Sequence, residues 1–305
     1  MNQARHLPAP PKSRTLGPGG ATVSPLAWGM WRFKGDDVAA ARTRVEAALS
    51  AGIALFDTAD IYGPDNDEAF GAAEALLGRV FAESPSLRGQ MVLASKGGII
   101  IGVPYDSSGA YIASAIDASL ARLGTERIDL WQIHRPDMLT HPQEMARALE
   151  NAVTAGKVGA VGVSNFTLPQ IAALRAHLPI PLASTQPEFS ALALGPLESG
   201  ELDMAMEHST AVLAWSPLGQ GRIAHPTSKR ELDVAEALDA VATAHGVSRT
   251  AAAYSWIMAH PAGIIPIVGS QQPERIAEAA DALTVRWTRT DWYKVLVASK
   301  QEPLP

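Results

Sequence analysis

The stretch VLAWSPLGQGRIAHP, Val212 to Pro226, decides between two ways of folding this chain. Its GQGRIA, Gly219 to Ala224, is the only match to the glycine fingerprint that a doubly wound dinucleotide sheet places after an early strand. The match comes late, and a helix would have to begin inside it. Pro226 follows almost at once, and HPTSKR reads as loop. The fingerprint is therefore rejected, although the glycines remain compatible with a loop laid against a phosphate.

Working outward, short β-rich runs alternate with runs whose apolar residues recur every three or four positions. Strands are expected at Leu26–Met30, Ala54–Asp57, Met91–Ser95, Asp129–His134, Ala160–Ser164, Leu182–Gln186, Ala211–Ser216 and Ile264–Val268. Helical stripes lie between them, for example Val38, Ala41, Val45, Ala48 and Leu49. Further helices are expected over 68–82, 169–177, 199–208, 232–245, 249–260 and 273–283. Pro142, Pro169 and Pro273 sit where helix starts place them. Successive βα units without a linker-like gap predict one (β/α)8 TIM barrel over residues 13–305. SRTL, GPGG and ATVSPLAWG precede it as an N-terminal β-hairpin, and RTDWYKVLVAS follows as a C-terminal helical extension over the barrel mouth. Residues 1–12, polar and Pro-rich, are expected to be a disordered tail.

Composition narrows the function. Of 305 residues 47% are hydrophobic, enough for a large core, and the net charge is −6 with no basic tract. Nucleic acid and anionic membrane therefore have no electrostatic footing as partners. The absence of cysteine removes disulfides, thiolate metal sites and cysteine nucleophiles. No metal is expected. The N-terminus lacks the apolar core of a secretory signal, and no apolar run reaches membrane-spanning length, so a cytoplasmic location is expected.

Barrel chemistry sits at the C-terminal ends of the strands. Those ends read FDTADIY, LASKGG, WQIHRPD, GVSNF, TQPEFS and AWSPLG, so Asp57, Lys96 and His134 close three successive strands, with Tyr62 one turn beyond the first. Singly, each has an ordinary reading. Asp57 caps a turn, Lys96 faces solvent, His134 is a satisfied structural histidine, and Tyr62 packs at the rim. Together they share one reason. A phenol is a poor acid at neutral pH, and a neighbouring ammonium lowers its pKa. A carboxylate keeps that ammonium charged, and a histidine orients a substrate carbonyl. Such an acid faces a carbonyl that must accept a hydride, and no side chain supplies hydride, so a nicotinamide cofactor is implied.

FDTADIYG, VLASKGG, WQIHRPD, GKVGAVGVSNF, TQPEFS, LAWSPLGQG and IPIVGS with ERI occur here in the order seen in the aldo-keto reductases, which the chain resembles from about Ser13 to Leu283. It most resembles the bacterial branch with IHRPD. The resemblance implies that Tyr62 is the general acid and that Asp57, Lys96 and His134 complete a tetrad. It implies that Ser164, Asn165 and Gln186 hold the nicotinamide carboxamide and that Trp215 stacks on the ring. Ser216, Leu218, Gly219 and Arg222 would line the pyrophosphate loop. Ser270 and Arg275 would meet the adenosine 2′-phosphate and Glu278 the adenine. Gln271 and Gln272 stand where a second basic residue is common, so NADPH is expected, with NADH as an alternative. Trp31, Arg135, the loop from Gly97 to Gly109, Trp292 and Tyr293 are the substrate-pocket candidates, for a small-molecule carbonyl. The expected activity is NADPH-dependent reduction of aldehydes or ketones. A cofactor-binding regulatory module with slow turnover, or a Schiff-base aldolase using Lys96, is the alternative.

Overall fold

Strands β3 (Ala27–Gly29), β4 (Leu55–Asp57), β5 (Val92–Gly97), β6 (Ile128–Ile133), β7 (Val158–Ser164), β8 (Leu182–Gln186), β9 (Ala211–Ala214) and β10 (Ile265–Val268) close into a parallel barrel, β10 pairing with both β9 and β3. The computed structural model describes residues 6–305. Every barrel strand anticipated from the sequence is present, each within a few residues of its expected bounds.

The barrel is filled by small and branched side chains. Ala27, Leu55, Ala94, Leu130, Ala183, Leu213 and Ile265 form one buried cluster with Leu16 and Val23. Those last two belong to the antiparallel hairpin of β1 (Arg14–Thr15) and β2 (Thr22–Val23), which plugs the N-terminal end. Arg14 Nε donates to the Gly263 carbonyl at 2.9 Å, tying the plug to the chain entering β10. A second apolar layer lies between strands and helices, where Trp28, Phe33 and Phe56 meet edge to face.

Helix starts follow local chemistry. Asp37 caps α1 (Val38–Ser50), Ser108 caps α3 (Gly109–Leu123), and Ser228 with Glu231 forms a capping box at α8 (Lys229–His245). Backbone N–H groups of Ser228 and Thr227 on its carboxylate hold Glu231 down to about 2. The helix expected over 68–82 begins later, as α2 (Ala72–Glu83), because Gly71 just before it stands in the left-handed region at φ 81°. The helix expected over 199–208 is broken by left-handed Gly200 into Gly195–Ser199 and Glu201–His208.

Two expectations are corrected at the termini. Residues 1–5 of the expected disordered tail lie outside the described residues, but His6 bridges Thr288 and the Leu7 N–H donates to the Trp287 carbonyl at 2.7 Å. The C-terminal helix α11 (Arg289–Lys300) does not close the barrel mouth. It lies along the outside against α8, with Arg230 bonded to Ser299 at one end and Arg286, just before it, bonded through its N–H to His245 at the other. No helix of the described residues is long and apolar enough to cross a membrane.

Candidate active site

Barrel register brings the strand-end residues together. Asp57 stands opposite Ala94, an interior residue, so Lys96, two residues further along β5, projects on the same face just beyond it. Lys96 is fully buried, and its Nζ donates to Asp57 Oδ2 at 2.7 Å, to the Thr58 carbonyl at 2.8 Å and to the Tyr62 hydroxyl at 3.1 Å. All three ammonium protons therefore have acceptors. Asp57 Oδ1 accepts from Gln186 Nε2 at 2.9 Å, so both carboxylate oxygens are held.

His134 follows β6 directly, and its N–H donates to the Gly97 carbonyl at 2.8 Å. Its ring meets that of Tyr62 edge to face at 5.8 Å. The structure thus gathers Asp57, Tyr62, Lys96 and His134 in one place.

Electrostatics assigns protonation states to three of them. Burial works against the Lys96 charge, but Asp57 and Tyr62 outweigh it and hold the ammonium above its usual range. Burial, together with Lys96 and Arg135, drives His134 well below the usual imidazole value, so it is neutral at neutral pH. Tyr62 differs from the sequence-based expectation. Lys96 does pull its phenol down, but burial pushes it up by more, with Asp57 and Asp60 adding to the rise. The phenol is therefore fully protonated across the neutral range.

A second network continues from the tetrad. Ser164 Oγ donates to the Gln186 carbonyl at 2.8 Å, and Asn165 Nδ2 donates to Ser164 Oγ at 2.8 Å and to the His134 carbonyl at 3.1 Å. Asn165 is in the left-handed region, φ 61°, where asparagine is tolerated best among residues with a Cβ. Its Oδ1 accepts from the Trp215 indole at 2.9 Å, and the Arg135 guanidinium lies 5.9 Å above the Trp215 ring. After Trp215 the chain turns through positive φ at Ser216, Gly219, Gln220 and Gly221, with Leu218 between them. The loop is tied to itself: the Gly219 N–H donates to the Ser216 carbonyl at 2.8 Å, and those of Gly221 and Ile223 donate to the Leu218 carbonyl. Arg222 Nε closes the loop onto the Gly219 carbonyl.

Beyond β10, Ser270 precedes α10 (Pro273–Glu278), and Arg275 and Glu278 lie within it. The Ser270 carbonyl accepts from Trp28, and the exposed Arg275 has no ion-pair partner among the described residues. Gln271 turns inward, donating to the Gly29 carbonyl at 3.0 Å. Trp31 stands at the mouth after β3, 43% exposed, its indole bonded to Asp65 and its carbonyl to Asn66. The short turn after Tyr62 thus clamps Trp31, a contact between segments that no local sequence signal marks.

Trp292 and Tyr293 are not part of this site. Trp292 is buried against Trp256, the rings stacked at 4.9 Å, and each indole donates to the other residue's carbonyl. Its surroundings are Leu7, Arg14, His260 and Gly263, at the plugged end of the barrel opposite the tetrad. The sequence reading fails because helix α11 runs outside the barrel. Trp292→Phe should cost about 1–3 kcal/mol, the penalty for an orphaned buried carbonyl at Trp256. Urea unfolding should show that loss while KM for a carbonyl substrate stays unchanged.

Known proteins share this fold. The chain matches the model of the Aldo/keto reductase family over residues 25–296. A 6-dehydroglucose reductase from Novosphingobium aromaticivorans is 60% identical over 98% of this chain and 99% of its own length. A second protein of that name, from Agrobacterium fabrum, is 36% identical over 90% and 93%. The solved glycerol dehydrogenase from Gluconobacter oxydans is 26% identical and superposes with a TM-score of 0.81 over 99% of this chain and 98% of that one. A barrel with this strand order, this family match and relatives of such length leave one conclusion: the chain belongs to the aldo/keto reductase family and is an NAD(P)H-dependent oxidoreductase.

Proposed function

We propose that this chain reduces an aldehyde borne on a sugar, with NADPH as the hydride donor and Tyr62 as the proton donor. The observation that carries the reading is the Lys96 ammonium fixed between Asp57 and the Tyr62 hydroxyl. The donor set fits a dinucleotide. Ser164, Asn165 and Gln186 offer the mixed donors and acceptors that a carboxamide needs. The loop of Ser216, Leu218, Gly219 and Arg222 offers the Ser216 hydroxyl and the Arg222 guanidinium for a pyrophosphate, and Trp215 an aromatic face. When bound, the nicotinamide supplies the hydride.

The protein's own residues do the rest. Neutral His134 donates a hydrogen bond to the substrate oxygen and turns the carbonyl toward the donor. Tyr62 protonates the oxygen as negative charge develops there, and Lys96 stabilises the phenolate left behind. Asp57 holds Lys96 in place and charged. The same site, run backward with a phenolate, oxidises an alcohol.

The substrate class comes from the relatives' names and suits the mouth. 6-Dehydroglucose is glucose oxidised at C6, an aldehyde surrounded by hydroxyls. Arg135, beside His134 and without an ion-pair partner among the described residues, and Asp65 and Asn66 beside Trp31 present polar groups to such a molecule. Schiff-base chemistry on Lys96 is disfavoured, because a buried, triply bonded ammonium is no nucleophile. Borohydride with a carbonyl substrate should trap nothing on it.

The test is a cofactor titration followed by a carbonyl panel that includes 6-dehydroglucose. NADPH-dependent turnover of the sugar aldehyde well above that of simple ketones is expected. Tight NADPH binding with negligible turnover across the panel would favour the regulatory reading instead. Arg275→Ala should weaken NADPH by roughly 10–100-fold, as loss of a charged hydrogen bond does, and leave NADH unchanged. Fluorescence titration of both nucleotides measures it, and equal weakening of the two would remove Arg275 from the 2′-phosphate site.

A further inference from the structure

Behind Tyr62 lies a carboxyl that the reaction above does not use. Asp60 belongs to the same turn and is 1% exposed. Its N–H donates to the Lys96 carbonyl at 2.9 Å, continuing the β4–β5 pairing past the strand end, as the Thr58 N–H does to Ala94. The turn that presents Tyr62 is therefore docked on the strand that presents Lys96. Asp60 Oδ2 lies 3.5 Å from the Tyr111 hydroxyl, at the limit of a hydrogen bond, and Oδ1 has no partner among the described residues. Trp131 Nε1 and Ser107 Oγ, buried nearby around Gly97 and Gly98, are likewise without partners. A Cβ on Gly97 would stand 2.9 Å from Asp60 Oδ2 and 2.7 Å from Trp131 Cζ2, so only glycine lets β5 approach so closely.

No cation is paired with Asp60 among the described residues. The nearby cations are committed elsewhere, Arg122 to Glu74 at 2.7 Å and Lys96 to Asp57. The Asp60 carboxyl acts on Tyr62 of its own segment. Glu74 faces the carboxyl from α2, and Tyr111 and Arg122 from α3, with Asp106 acting on Tyr111 from the loop before α3. A carboxylate so placed is poorly solvated and lacks a counter-charge.

We propose that Asp60 is a positioning residue for Tyr62: its backbone docks the turn that carries the phenol onto β5, and the charge of its buried carboxyl controls how tightly the phenol holds its proton. The inference rests on the reductase reading. Burial first, then Glu74, push the Asp60 carboxyl up to about 8, with Arg122 opposing. Below that pH Asp60 is neutral, and Lys96 acts on Tyr62 with little opposition from it. Above it, a new negative charge makes Tyr62 a weaker acid, and carbonyl reduction slows.

The experiment compares kcat for carbonyl reduction from pH 6 to 10 in wild type, Asp60→Asn and Glu74→Gln, with NADPH titration and Tm measured alongside. Wild type should lose roughly three- to tenfold in a step near pH 8, less than the about 10²–10⁴-fold lost when a general acid is removed, because Tyr62 is weakened as a donor and not deleted. Asp60→Asn should lack that step while binding NADPH normally. Glu74→Gln should move the step to lower pH, because a repelling charge is gone. An unfolded carboxyl ionises near 3.9, so the folded wild type loses stability relative to Asp60→Asn as pH rises from about 4 to about 8. With Tm followed from pH 4 to 8, the Tm of wild type minus that of Asp60→Asn should therefore fall over that window. A folded Asp60→Asn protein with the wild-type step at the same pH and size overturns the proposal. If Asp60→Asn does not fold, an unmoved step in Glu74→Gln overturns it. If no carbonyl is reduced by any variant, the reductase reading fails, and the Tm difference remains as the separate mark of Asp60 titration.

Discussion

Tyr62→Phe should lower kcat for carbonyl reduction by about 10²–10⁴-fold, the range lost when a general acid is removed. The substitution deletes one hydroxyl and keeps the ring, its edge-to-face contact with His134 and the approach of Lys96 Nζ to 4.9 Å from its centre. NADPH affinity should stay within about twofold, because the hydroxyl belongs to the proton path. Stopped-flow turnover and fluorescence titration separate the two effects. The burial-driven rise of the phenol also fixes the pH sense. Tyr62 is protonated below and through neutrality, so reduction should not fall on the acid side from loss of this donor. Turnover within a few-fold of wild type would return the proton to another group and end the tyrosine assignment.

Lys96→Met should be the most damaging single change to both stability and turnover. It removes the cation from a pair in which Lys96 is fully buried and Asp57 is 2% exposed, leaving a carboxylate without its counter-charge. Breaking such a pair costs about 3–5 kcal/mol, a large part of a domain's stability. Urea denaturation should show that loss. Lys96→Met combined with Asp57→Asn should recover part of it, since neither charge is then stranded. Turnover should not recover, because Tyr62 has still lost the ammonium that stabilises its phenolate. If the double variant regained activity, Lys96 would be a structural residue only. Stability unaffected by the single variant would mean that the pair is solvated, contrary to its burial.

The two networks explain why cofactor and acid–base residues are hard to separate. Gln186, expected only at the carboxamide, also fixes the Asp57 oxygen that Lys96 leaves free. Asn165 joins the ends of β6 and β7 to Trp215 just after β9. A substitution at either position should therefore disturb both proton donation and nucleotide binding.

Much of this was legible in the residues. Alternating short apolar runs and helical stripes located every barrel strand, since burial of a parallel sheet on both faces leaves continuous apolar runs. The strand ends marked Asp57, Lys96 and His134, since a polar residue closing such a run must have a partner. Pro142, Pro169 and Pro273 also marked helix starts, and each stands in the first turn of a helix.

What the residues could not contain is distance between segments far apart in the chain. RTDWYKVLVAS is amphipathic whether it covers the mouth or the flank, and only packing against α8 places it on the flank. The net position of Tyr62 depends on how deeply its hydroxyl is buried as well as on Lys96, and burial is a property of the folded whole. Asp60 reads as one more polar residue of FDTADIYG until β5, α2 and α3 enclose it without a free cation. Sequence alone determined the barrel, its order and the chemical types at its rim, because these follow from periodicity and residue identity. Tertiary structure alone decided which rim groups touch, which are ionised and which end of the barrel each aromatic serves, because those depend on solvent exclusion and on contacts between residues distant in sequence.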